Sequence, residues 1–408
     1  MTKETFKIIV VGAGPAGLLL SLLLSRQGIP VTVLEAKNQL DNQPRATHYG
    51  PPAVYELRRA GILPEILEEG FLPAQVCWRK LDGTYLTGID NDILGDHPDR
   101  LACLPLNRLG QILLTNLQKQ PSAEIKWGHR VIGLGQNDQR AWLDVSTSAG
   151  EQRMEATYIV GCDGAKSQIR RSLHGDLNFP GKTWDEQVVA TNVYFDFHKF
   201  GYHDSNFIMH PEHWHMAARI TTDGLWRVSY GEKAGLTNEQ LADRQTMKFQ
   251  AMLPGHPTPD QYRITNFSPY RVHQRLAESM RVGRFLLAAD AAHLCNPFGG
   301  LGLTSGIVDV GGLYDCLYGI SSGRAADDIL DVYDKVRREK YQSIVDPISS
   351  ANFIRMFQTD VDAVLESGSD EFFNECLKAK TNSVLAREVA LGINCLQYDF
   401  TKHYIVGE

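Results

Sequence analysis

The chain has 408 residues, a length that favours two or three domains and allows a large buried core. Its 41 basic and 48 acidic residues give a net charge of −7, which argues against nucleic acid or an anionic membrane as a partner. The seven cysteines include no Cys-x-x-Cys pair, so we expect reduced thiols and no metal site. A polar N-terminus and the lack of an apolar run of ~18 residues predict a cytoplasmic protein without a membrane span.

The N-terminal segment predicts a βαβ unit. Residues 6–11 form a short apolar, β-branched run that is typical of a fully buried strand. A glycine-rich turn over residues 12–17 precedes the apolar helix formers of residues 18–27. A second buried strand over residues 31–34 ends in Glu35. Because neither strand alternates apolar with polar residues, we expect a parallel sheet that is covered on both sides.

The turn Gly12-Ala13-Gly14-Pro15-Ala16-Gly17 fits the dinucleotide-binding fingerprint. In this fingerprint the first glycine makes the tight turn, and the second lets the backbone approach a pyrophosphate at the helix N-terminus. The third glycine allows close packing of helix on strand. Glu35 lies 21 residues after the middle glycine, where a carboxylate hydrogen-bonds the ribose hydroxyls. The fingerprint does not distinguish FAD from NAD.

Further elements follow this unit. In chain order they are helices over residues 51–60 and 106–117, a strand over 157–161, a buried strand over 284–289 before Asp290, a loop over 299–302, and helices over 304–317 and 327–344, the last of which is expected to stop at Pro347. Residues 188–231 differ from these, because they contain short alternating segments separated by turns. That pattern predicts an antiparallel sheet in a separate layer, inserted into the first domain.

Four segments carry a family resemblance. They are Pro44-Arg45-Ala46, Pro105-Leu106-Asn107-Arg108, Gly161-Cys162-Asp163-Gly164-Ala165-Lys166-Ser167, and residues 283–313 with Ala289-Asp290-Ala291-Ala292-His293 and Pro297-Phe298-Gly299-Gly300-Leu301-Gly302. In this order they resemble the class A flavoprotein monooxygenases, the aromatic hydroxylases similar to para-hydroxybenzoate hydroxylase. Three positions depart from the family pattern: Ala289 replaces a glycine, Asn296 replaces a proline, and Thr304-Ser305 replaces a pair that often contains asparagine.

The resemblance implies an α/β fold with a Rossmann-like FAD-binding domain, an inserted antiparallel-sheet substrate domain and C-terminal helices. The expected FAD-binding domain comprises residues 1–75, 101–180 and 271–345. The expected substrate domain comprises residues 76–100 and 181–270, and residues 346–408 form a helical region. We expect one FAD and no separate domain for NADPH or NADH, and the protein is expected to be a monomer or a homodimer.

The resemblance also implies which residues contact the cofactor. They are Gly12, Gly14, Pro15, Ala16, Gly17, Glu35, Ala36, Arg45, Arg108, Asp163, Asp290, Pro297, Gly300, Leu301, Gly302 and Leu303. Asp290 would accept hydrogen bonds from the ribitol hydroxyls, and the N-terminus of the following helix would stabilise negative charge on reduced flavin. For Arg45 and Arg108 the alternative is a surface salt bridge, and for Asp163 it is a helix N-cap. His293 is expected to be a structural hydrogen-bonding residue.

The implied reaction is hydroxylation or oxidative decarboxylation of a small phenolic, electron-rich aromatic compound. NAD(P)H reduces FAD, O2 adds at flavin C4a, and the resulting hydroperoxide transfers oxygen in a dry site. The carbonyl of Pro297 is the candidate for orienting the substrate hydroxyl, with loop rigidity as the alternative. His215 and Tyr230 are further catalytic candidates, and alternation places His215 and Arg219 on one face of a strand.

Substrate contacts are predicted for His48, His215, Arg219, Tyr230, Pro297 and Phe298, each with a structural alternative. Other functions of the same fold stay open: an epoxidase, an FAD dehydrogenase or reductase, and an FAD-carrying protein that sequesters a ligand. A tryptophan-halogenase-like enzyme is disfavoured, because the sequence has no Trp-x-Trp-x-Ile-Pro run.

Overall fold

The computed structural model describes residues 6–41, 47–358 and 360–405. In chain order the strands are β1 (Ile8–Val11), β2 (Val31–Glu35), β3 (His48–Tyr49), β4 (Gln75–Lys80), β5 (Tyr85–Asp90), β6 (Ala102–Cys103), β7 (Ala123–Trp127), β8 (Arg130–Gln136), β9 (Ala141–Thr147), β10 (Gly150–Ala156), β11 (Tyr158–Gly161), β12 (Gly181–Tyr194), β13 (Ser205–Met209), β14 (His215–Arg219), β15 (Leu225–Glu232), β16 (Arg263–Leu276), β17 (Arg281–Val282), β18 (Phe285–Leu287) and β19 (His293–Leu294).

The helices follow the same numbering. They are α1 (Pro15–Arg26), α2 (Pro51–Arg59), α3 (Leu63–Glu69), α4 (Leu106–Gln118), α5 (Gln168–His174), α6 (Asn238–Met252), α7 (Leu301–Ser321), α8 (Ile329–Lys340), α9 (Asp346–Met356), α10 (Val361–Ser367), α11 (Glu371–Ala379) and α12 (Ser383–Leu391). Within the described ranges, no helix is both long and apolar enough to cross a membrane.

The predicted βαβ unit lies at the centre of a six-stranded sheet. Its strand order is β17-β18-β11-β1-β2-β7, and all pairs from β18 to β7 are parallel. Every residue of β1 is buried, and α1, α4 and α7 contribute to the same apolar core. Because the chain leaves β1 for β2 on one side and later returns to β11 on the other, the strand order reverses at β1. Ligands of open α/β sheets bind at such a switch point, beyond the carboxyl ends of the strands.

The predicted antiparallel layer is an eight-stranded sheet of order β19-β16-β12-β15-β14-β13-β4-β5. Only the β13–β4 pair is parallel. The sheet is larger than the alternating segments of residues 188–231 indicate, because β4, β5 and β16 join it from distant parts of the chain. The mixed α/β architecture with a second, mainly antiparallel sheet confirms the predicted fold class.

The two faces of this large sheet pack against different parts of the molecule. One face, which we call the α6 face, carries Val189, Val228 and Tyr230 in an apolar cluster with residues of α6. The other, which we call the flavin-domain face, carries Val188 and Phe207 in a cluster that also contains residues 298 and 353. Since residue 298 precedes α7, this second face is directed at the domain with the dinucleotide fingerprint.

The helix predicted over 327–344 continues further than expected. After α8, the chain passes through a π-helical turn, Tyr341–Val345, and enters α9 without a break. Pro347 lies in the first turn of α9, where the missing N–H and fixed φ of proline are tolerated. The prediction that Pro347 ends helical structure is therefore wrong, and α9 brings Phe353 against the flavin-domain face.

Candidate cofactor and substrate site

The glycine turn after β1 has the geometry that the fingerprint requires. Gly12 has a φ of +105°, and a Cβ there would lie 2.5 Å from the carbonyl oxygen of Cys162. A Cβ on Gly17 would overlap the carbonyl oxygen of Gly12, whereas a Cβ on Gly14 would meet no protein atom within 4 Å. The first and third glycines are thus required by packing. The middle one borders open space at the N-terminus of α1, where Pro15 and Ala16 form the first turn and where a pyrophosphate would bind.

Glu35 lies against this turn from the end of β2. Its Oε2 accepts a hydrogen bond from the backbone N–H of Ala13 at 2.9 Å, and its Oε1 accepts one from Lys37 at 2.9 Å. The carboxylate therefore lies beside the fingerprint, as the spacing of 21 residues predicts, and Ala36 is exposed next to it. This position fits the ribose of a dinucleotide.

Asp163 organises the start of α5. Its carboxylate accepts hydrogen bonds from the Ser167 hydroxyl at 2.5 Å and from the backbone N–H groups of Gln168 and Ile169 at 2.6 and 3.2 Å. Burial raises the pKa of Asp163, and these donors oppose that shift. The N-cap residue of α5 is Ser167, whose hydroxyl accepts from the N–H of Arg170 at 3.0 Å, and Asp163 caps two further N–H groups of the first turn, close to the N-cap alternative.

Asp290 is exposed in a short turn directly after β18, on the same side of the sheet as the glycine turn. The preceding Ala289 has a φ of +55°, the left-handed conformation that explains why glycine is usual there in the family. Arg170 links this loop to the Asp163 turn, because it donates to the carbonyl oxygens of Ala291 at 3.1 Å and Ala165 at 2.9 Å.

A buried ion network supports the Asp290 loop from behind. Asp309 on α7 accepts from the N–H of Ala289 at 3.1 Å, from His293 Nε2 at 2.6 Å and from Arg337 Nε at 2.6 Å. Arg337 also donates to the carbonyl of Leu396 at 2.6 Å. Burial opposes ionisation of Asp309, yet His293 and Arg337 outweigh it and lower the pKa of that carboxyl. His293 is thus a structural hydrogen-bonding residue, and Asp309 and Arg337 are supporting residues that sequence reasoning missed.

The loop before α7 is held rigidly. Asn296 accepts from the N–H of Phe298 at 3.0 Å and donates its own N–H to Gln274 at 3.0 Å. The Pro297 carbonyl accepts from the N–H of Gly300 at 3.1 Å, which favours the loop-rigidity alternative for Pro297. Gly300 is left-handed, with a φ of +64°, and starts α7. Leu301, Gly302 and Leu303 form the first turn, so the positive end of this long helix lies at the loop.

Phe298 is a packing residue. Its side chain is fully buried, with its ring stacked on Phe353 at a centroid distance of 5.0 Å and edge-on to Trp214 at 5.3 Å. Phe298 therefore closes an aromatic wall between the loop and the sheet, and its contact with substrate stays a prediction. Of the two predicted arginines, Arg108 forms a half-exposed ion pair with Glu69 at 2.7 Å, and Arg45 lies outside the described residues.

His48 lies on the flavin-domain face of the large sheet. Its Nε2 is 3.0 Å from Ser205 Oγ, and its Nδ1 is 2.8 Å from Thr47 Oγ1. Burial lowers the pKa of His48 to about 4, so the ring is neutral at neutral pH. Arg227 and Asn192 are on the same face, paired across β15 and β12. The structure therefore brings one predicted substrate residue together with two polar residues that were not predicted.

His215 and Tyr230 lie on the other face. They are opposite each other in the register of β14 and β15, and both are fully buried. The Tyr230 ring packs edge-on against Phe249 of α6 at 6.1 Å, and His215 Nδ1 lies 2.9 Å from the carbonyl of His213. Burial lowers the pKa of His215 to about 4. Their prediction as catalytic and substrate-binding residues is corrected, because the sheet separates them from the loop before α7.

Arg219 shares the α6 face with His215, as the alternation predicts. Its guanidinium donates to the carbonyls of Thr221 and Thr222 at 3.0 and 3.1 Å and pairs with Asp204 at 3.4 Å. It is therefore a structural residue rather than a substrate contact. Alternation places the Arg227 side chain on the opposite face from its neighbours Trp226 and Val228, but it does not indicate which face meets the flavin domain.

The glycine turn, the Asp290 loop and the inserted sheet together define a flavoprotein monooxygenase of the aromatic hydroxylase class. The FAD binding domain family model matches residues 5–348, and the chain belongs to this family. It is 38% identical over 355 residues to para-nitrophenol 4-monooxygenase of Pseudomonas sp. (strain WBC-3), covering 86% of this chain and 88% of that protein. It is 34% identical over 353 residues to 6-hydroxy-3-succinoylpyridine 3-monooxygenase HspB of Pseudomonas putida (strain DSM 28022 / S16), covering 86% and 89%.

Solved structures give the same result. The crystal structure of p-nitrophenol 4-monooxygenase PnpA from Pseudomonas putida DLL-E4 superimposes with a TM-score of 0.89 at 35% identity, over 96% of this chain and 98% of that chain. Aklavinone-11 hydroxylase in a ternary complex with FAD and aklavinone shares the fold, with a TM-score of 0.76 at 24% identity over 89% and 71%. The protein is therefore an FAD-dependent monooxygenase that hydroxylates an aromatic substrate, and NAD(P)H is the reductant typical of the family.

Proposed function

We propose that the enzyme hydroxylates a small phenol with an electron-withdrawing para substituent, of the nitrophenol type. The observation that carries this proposal is the match to p-nitrophenol 4-monooxygenase PnpA over 96% of the chain, which includes the inserted sheet as well as the cofactor domain. Since we expect substrate contacts to come from the inserted sheet, similarity there bears on substrate class more directly than the shared FAD motifs do.

FAD, when bound, supplies the redox chemistry with NAD(P)H and O2 that no side chain can provide. We assign the open space at Gly14 and the adjacent Glu35 carboxylate to its pyrophosphate and adenosine ribose. Asp290 would hold the ribitol hydroxyls, and the N-terminus of α7 would face the flavin ring and favour negative charge there. The Asp309 network keeps the Asp290 loop in place for these contacts.

The substrate would bind between the loop before α7 and the flavin-domain face of the sheet. Phe298, Trp214 and Phe353 form an apolar wall there, and exclusion of water protects the oxygenating species from loss. His48 and Ser205 offer neutral hydrogen-bonding groups on the same face. Because His48 is neutral at neutral pH, it adds no positive charge to the site, and its Nε2 can exchange the bond with Ser205 for one with a substrate hydroxyl.

The test uses protein reconstituted with FAD. We expect 4-nitrophenol to accelerate NAD(P)H oxidation, with oxygen from isotopically labelled O2 appearing in the product. An FAD-carrying sequestration protein would bind the phenol without accelerating turnover, and a dehydrogenase would reduce the flavin with substrate and leave O2 unused. If NAD(P)H oxidation rises and only hydrogen peroxide forms, 4-nitrophenol triggers reduction without being the substrate, and the proposed substrate is wrong.

The proposal includes O2 as co-substrate, a cytoplasmic location and a monomer or homodimer as the working form. Oxygen consumption in proportion to NAD(P)H oxidation supports O2 as co-substrate. Light scattering of the FAD-loaded protein measures the oligomeric state, and an assembly larger than a dimer would contradict the proposal. Fractionation of the producing cells tests the location.

A further inference from the structure

A chain of buried hydrogen bonds connects the loop before α7, residues 296–300, to helix α9. Gln274 of β16 lies between them, and its Oε1 accepts hydrogen bonds from Asn296 N at 3.0 Å and Asn296 Nδ2 at 3.3 Å. Its Nε2 donates to Ser349 Oγ at 2.6 Å and to the carbonyl oxygen of Asp346 at 3.4 Å. The side chains of Gln274, Asn296 and Ser349 are buried. One glutamine therefore joins a strand, a loop and a helix that are distant in the sequence.

Helix α9 connects the same loop to the inserted sheet. Ser349 and Phe353 are four residues apart and hence on one side of the helix. Phe353 stacks on Phe298 of the loop at a centroid distance of 5.0 Å. At its C-terminal end α9 is bonded to the sheet, because the carbonyl of Met356 accepts from the N–H of His210, directly after β13, at 3.0 Å. The helix thus fixes how far the loop lies from the sheet.

The loop and α9 are closely packed. A Cβ on Gly299 would lie 2.8 Å from the Cβ and 2.9 Å from the Cα of Ser349. The next residue, Gly300, starts α7, whose N-terminus would face the flavin ring. In the site that we propose, the substrate lies against the aromatic wall that Phe298 closes. The distance from the flavin to the substrate therefore depends on the contacts that hold this loop to α9.

We propose that Gln274, together with Ser349, is a positioning residue for oxygen transfer, because it holds the loop before α7 at a fixed place between the flavin and the aromatic wall. The inference rests on the proposed function and adds the residues that set the geometry of the site. In each turnover NAD(P)H supplies a hydride and solvent a proton, and O2 accepts the two electrons. At the right distance one oxygen atom enters the substrate and the other leaves as water, whereas otherwise both leave as hydrogen peroxide. A misplacement of about 1 Å is enough to slow such a step by about a hundredfold.

Gln274→Leu tests the proposal, because leucine has a similar shape and removes all four hydrogen bonds of the amide group. On FAD-loaded enzyme that turns over 4-nitrophenol, we expect the fraction of oxidised NAD(P)H that ends as hydrogen peroxide to rise by about threefold or more. KM for the phenol should stay within about twofold, since no group that would contact the substrate is changed. A peroxidase-coupled dye measures hydrogen peroxide, and absorbance measures NAD(P)H. An unchanged peroxide fraction overturns the inference.

Gln136 provides a matched control. Its Oε1 accepts from the N–H of Arg284 at 2.7 Å and its Nε2 donates to the carbonyl of Val282 at 3.1 Å, so it joins β8 to the start of β18. That point is at the opposite end of β18 from the Asp290 loop. Gln136→Leu should lower stability without raising the peroxide fraction. If it raises that fraction as much as Gln274→Leu does, the effect is a general loosening of the fold and the inference is overturned.

A second readout needs no turnover. Amide hydrogen exchange of FAD-loaded protein follows the N–H groups of Phe298 and Gly300, which donate within the loop. In Gln274→Leu they should exchange about tenfold faster, the effect of one lost hydrogen bond, and the FAD dissociation constant should rise about threefold or more. Ser349→Ala removes a single acceptor and should show the same changes at smaller size, which covers the case in which Gln274→Leu does not fold. Unchanged exchange in both variants overturns the inference.

Asn296→Pro shows whether Gln274 acts through the loop. Asn296 has a φ of −65°, the value that proline imposes, but proline has no N–H for Gln274 to accept. Both substitutions break the same contact, so the rise in peroxide fraction of the double variant should lie well below the product of the two single effects. Fully multiplicative effects would mean that Gln274 acts by another route, and the inference would be overturned.

Failure of the proposed substrate would look different. If 4-nitrophenol is not turned over, the nitrophenol assignment falls. Faster loop exchange and weaker FAD binding in Gln274→Leu, absent from Gln136→Leu, would still support the positioning role. Conversely, normal turnover of 4-nitrophenol by Gln274→Leu with an unchanged peroxide fraction would keep the nitrophenol assignment and overturn the role of Gln274.

Discussion

The cofactor region and the large sheet differ in which part of the chain forms the site. In the cofactor region the backbone forms the site: Gly12 and Gly17 are fixed by contacts that a single methyl group would abolish. In the substrate site that we propose on the sheet, side chains form the site, and both faces of that sheet carry polar residues. His48 is partly buried and His215 fully buried, and burial lowers the pKa of each to about 4, yet the two histidines lie on opposite sides of that sheet. Motifs therefore locate cofactors well, whereas burial and residue type do not locate substrate.

The largest expected effect concerns the ion network behind the Asp290 loop. Asp309→Ala leaves Arg337 buried without its ion-pair partner, and we expect a loss of about 3–5 kcal/mol in the free energy of unfolding. FAD affinity should fall as well, because Ala289 loses the acceptor for its N–H. Urea unfolding and FAD titration measure the two effects. The exposed pair Asp144–Arg153 is the control, and Asp144→Ala should cost less than about 1 kcal/mol. Equal losses for both variants would refute a supporting role for the network.

The second prediction concerns pH and the α6 face. The pKa of His215 falls from 6.5 to about 4 on folding. Between these two pH values the His215 side chain binds a proton in the unfolded chain but not in the folded protein. Stability from this group is complete above pH 6.5 and is lost progressively as pH falls to 4, by about 3 kcal/mol in total. His215→Gln should remove that part of the acid sensitivity, as seen in urea unfolding at pH 7, 6, 5 and 4. If the variant keeps the full slope, His215 is not the group responsible.

Much of the cofactor region could be predicted from sequence because its residues are close together in the chain and their spacing reflects backbone geometry. The βαβ unit and the place of Glu35 both follow from residues 6–35, whereas the switch point at β1 depends on the distant strand β11. Asp309 and Arg337 could not be placed in the same way. Their side chains meet between α7 and α8, and Asp309 also accepts a hydrogen bond from the Asp290 loop. No local sequence pattern indicates a residue that supports a distant loop in this way.

The sheet was predicted only in part, for a different reason. Alternation correctly places His215 and Arg219 on a common face, but it does not state which face meets the flavin domain. That depends on α6, which follows β15 in the chain and covers the face with Tyr230. The resemblance placed residues 76–100 in the substrate domain, but the sequence pattern there did not predict β4 and β5 as strands of this sheet.

The third prediction separates the roles of two glycines in one turn. Gly17→Ala introduces a methyl group onto the Gly12 carbonyl, and we expect a loss of about 1–3 kcal/mol or more in stability, with poor FAD retention. Gly14→Ala meets no protein atom within 4 Å, so the protein should fold with little change in melting temperature. Its FAD affinity should nevertheless drop, because the methyl group occupies the approach to the pyrophosphate. Normal FAD affinity in Gly14→Ala would place the cofactor elsewhere.

The fourth prediction compares the two enclosed histidines directly. His48→Gln should raise KM for the phenol by about tenfold, the scale of one hydrogen bond to substrate, with a smaller change in kcat. His215→Gln should leave KM within about twofold, because the sheet lies between it and the loop before α7. Steady-state NAD(P)H oxidation at pH 7.5 provides both constants. A larger KM effect from His215 than from His48 would mean that the substrate binds on the α6 face and not on the flavin-domain face.

The smallest expected effect is that of Ala289→Gly, in the Asp290 loop, on the free energy of unfolding. Ala289 has a left-handed backbone, which costs an alanine about 1 kcal/mol that a glycine avoids. Glycine also loses more backbone entropy on folding, so Ala289→Gly should change the free energy of unfolding by no more than about 1 kcal/mol. A double-mutant cycle with Gly306 is more informative, because a Cβ on Gly306 would lie 2.7 Å from the Ala289 Cβ. Gly306→Ala should be clearly destabilising alone and milder beside Ala289→Gly, with a coupling energy of about 0.5–3 kcal/mol. Simple additivity would show that α7 and the Asp290 loop are not packed as closely as this contact requires.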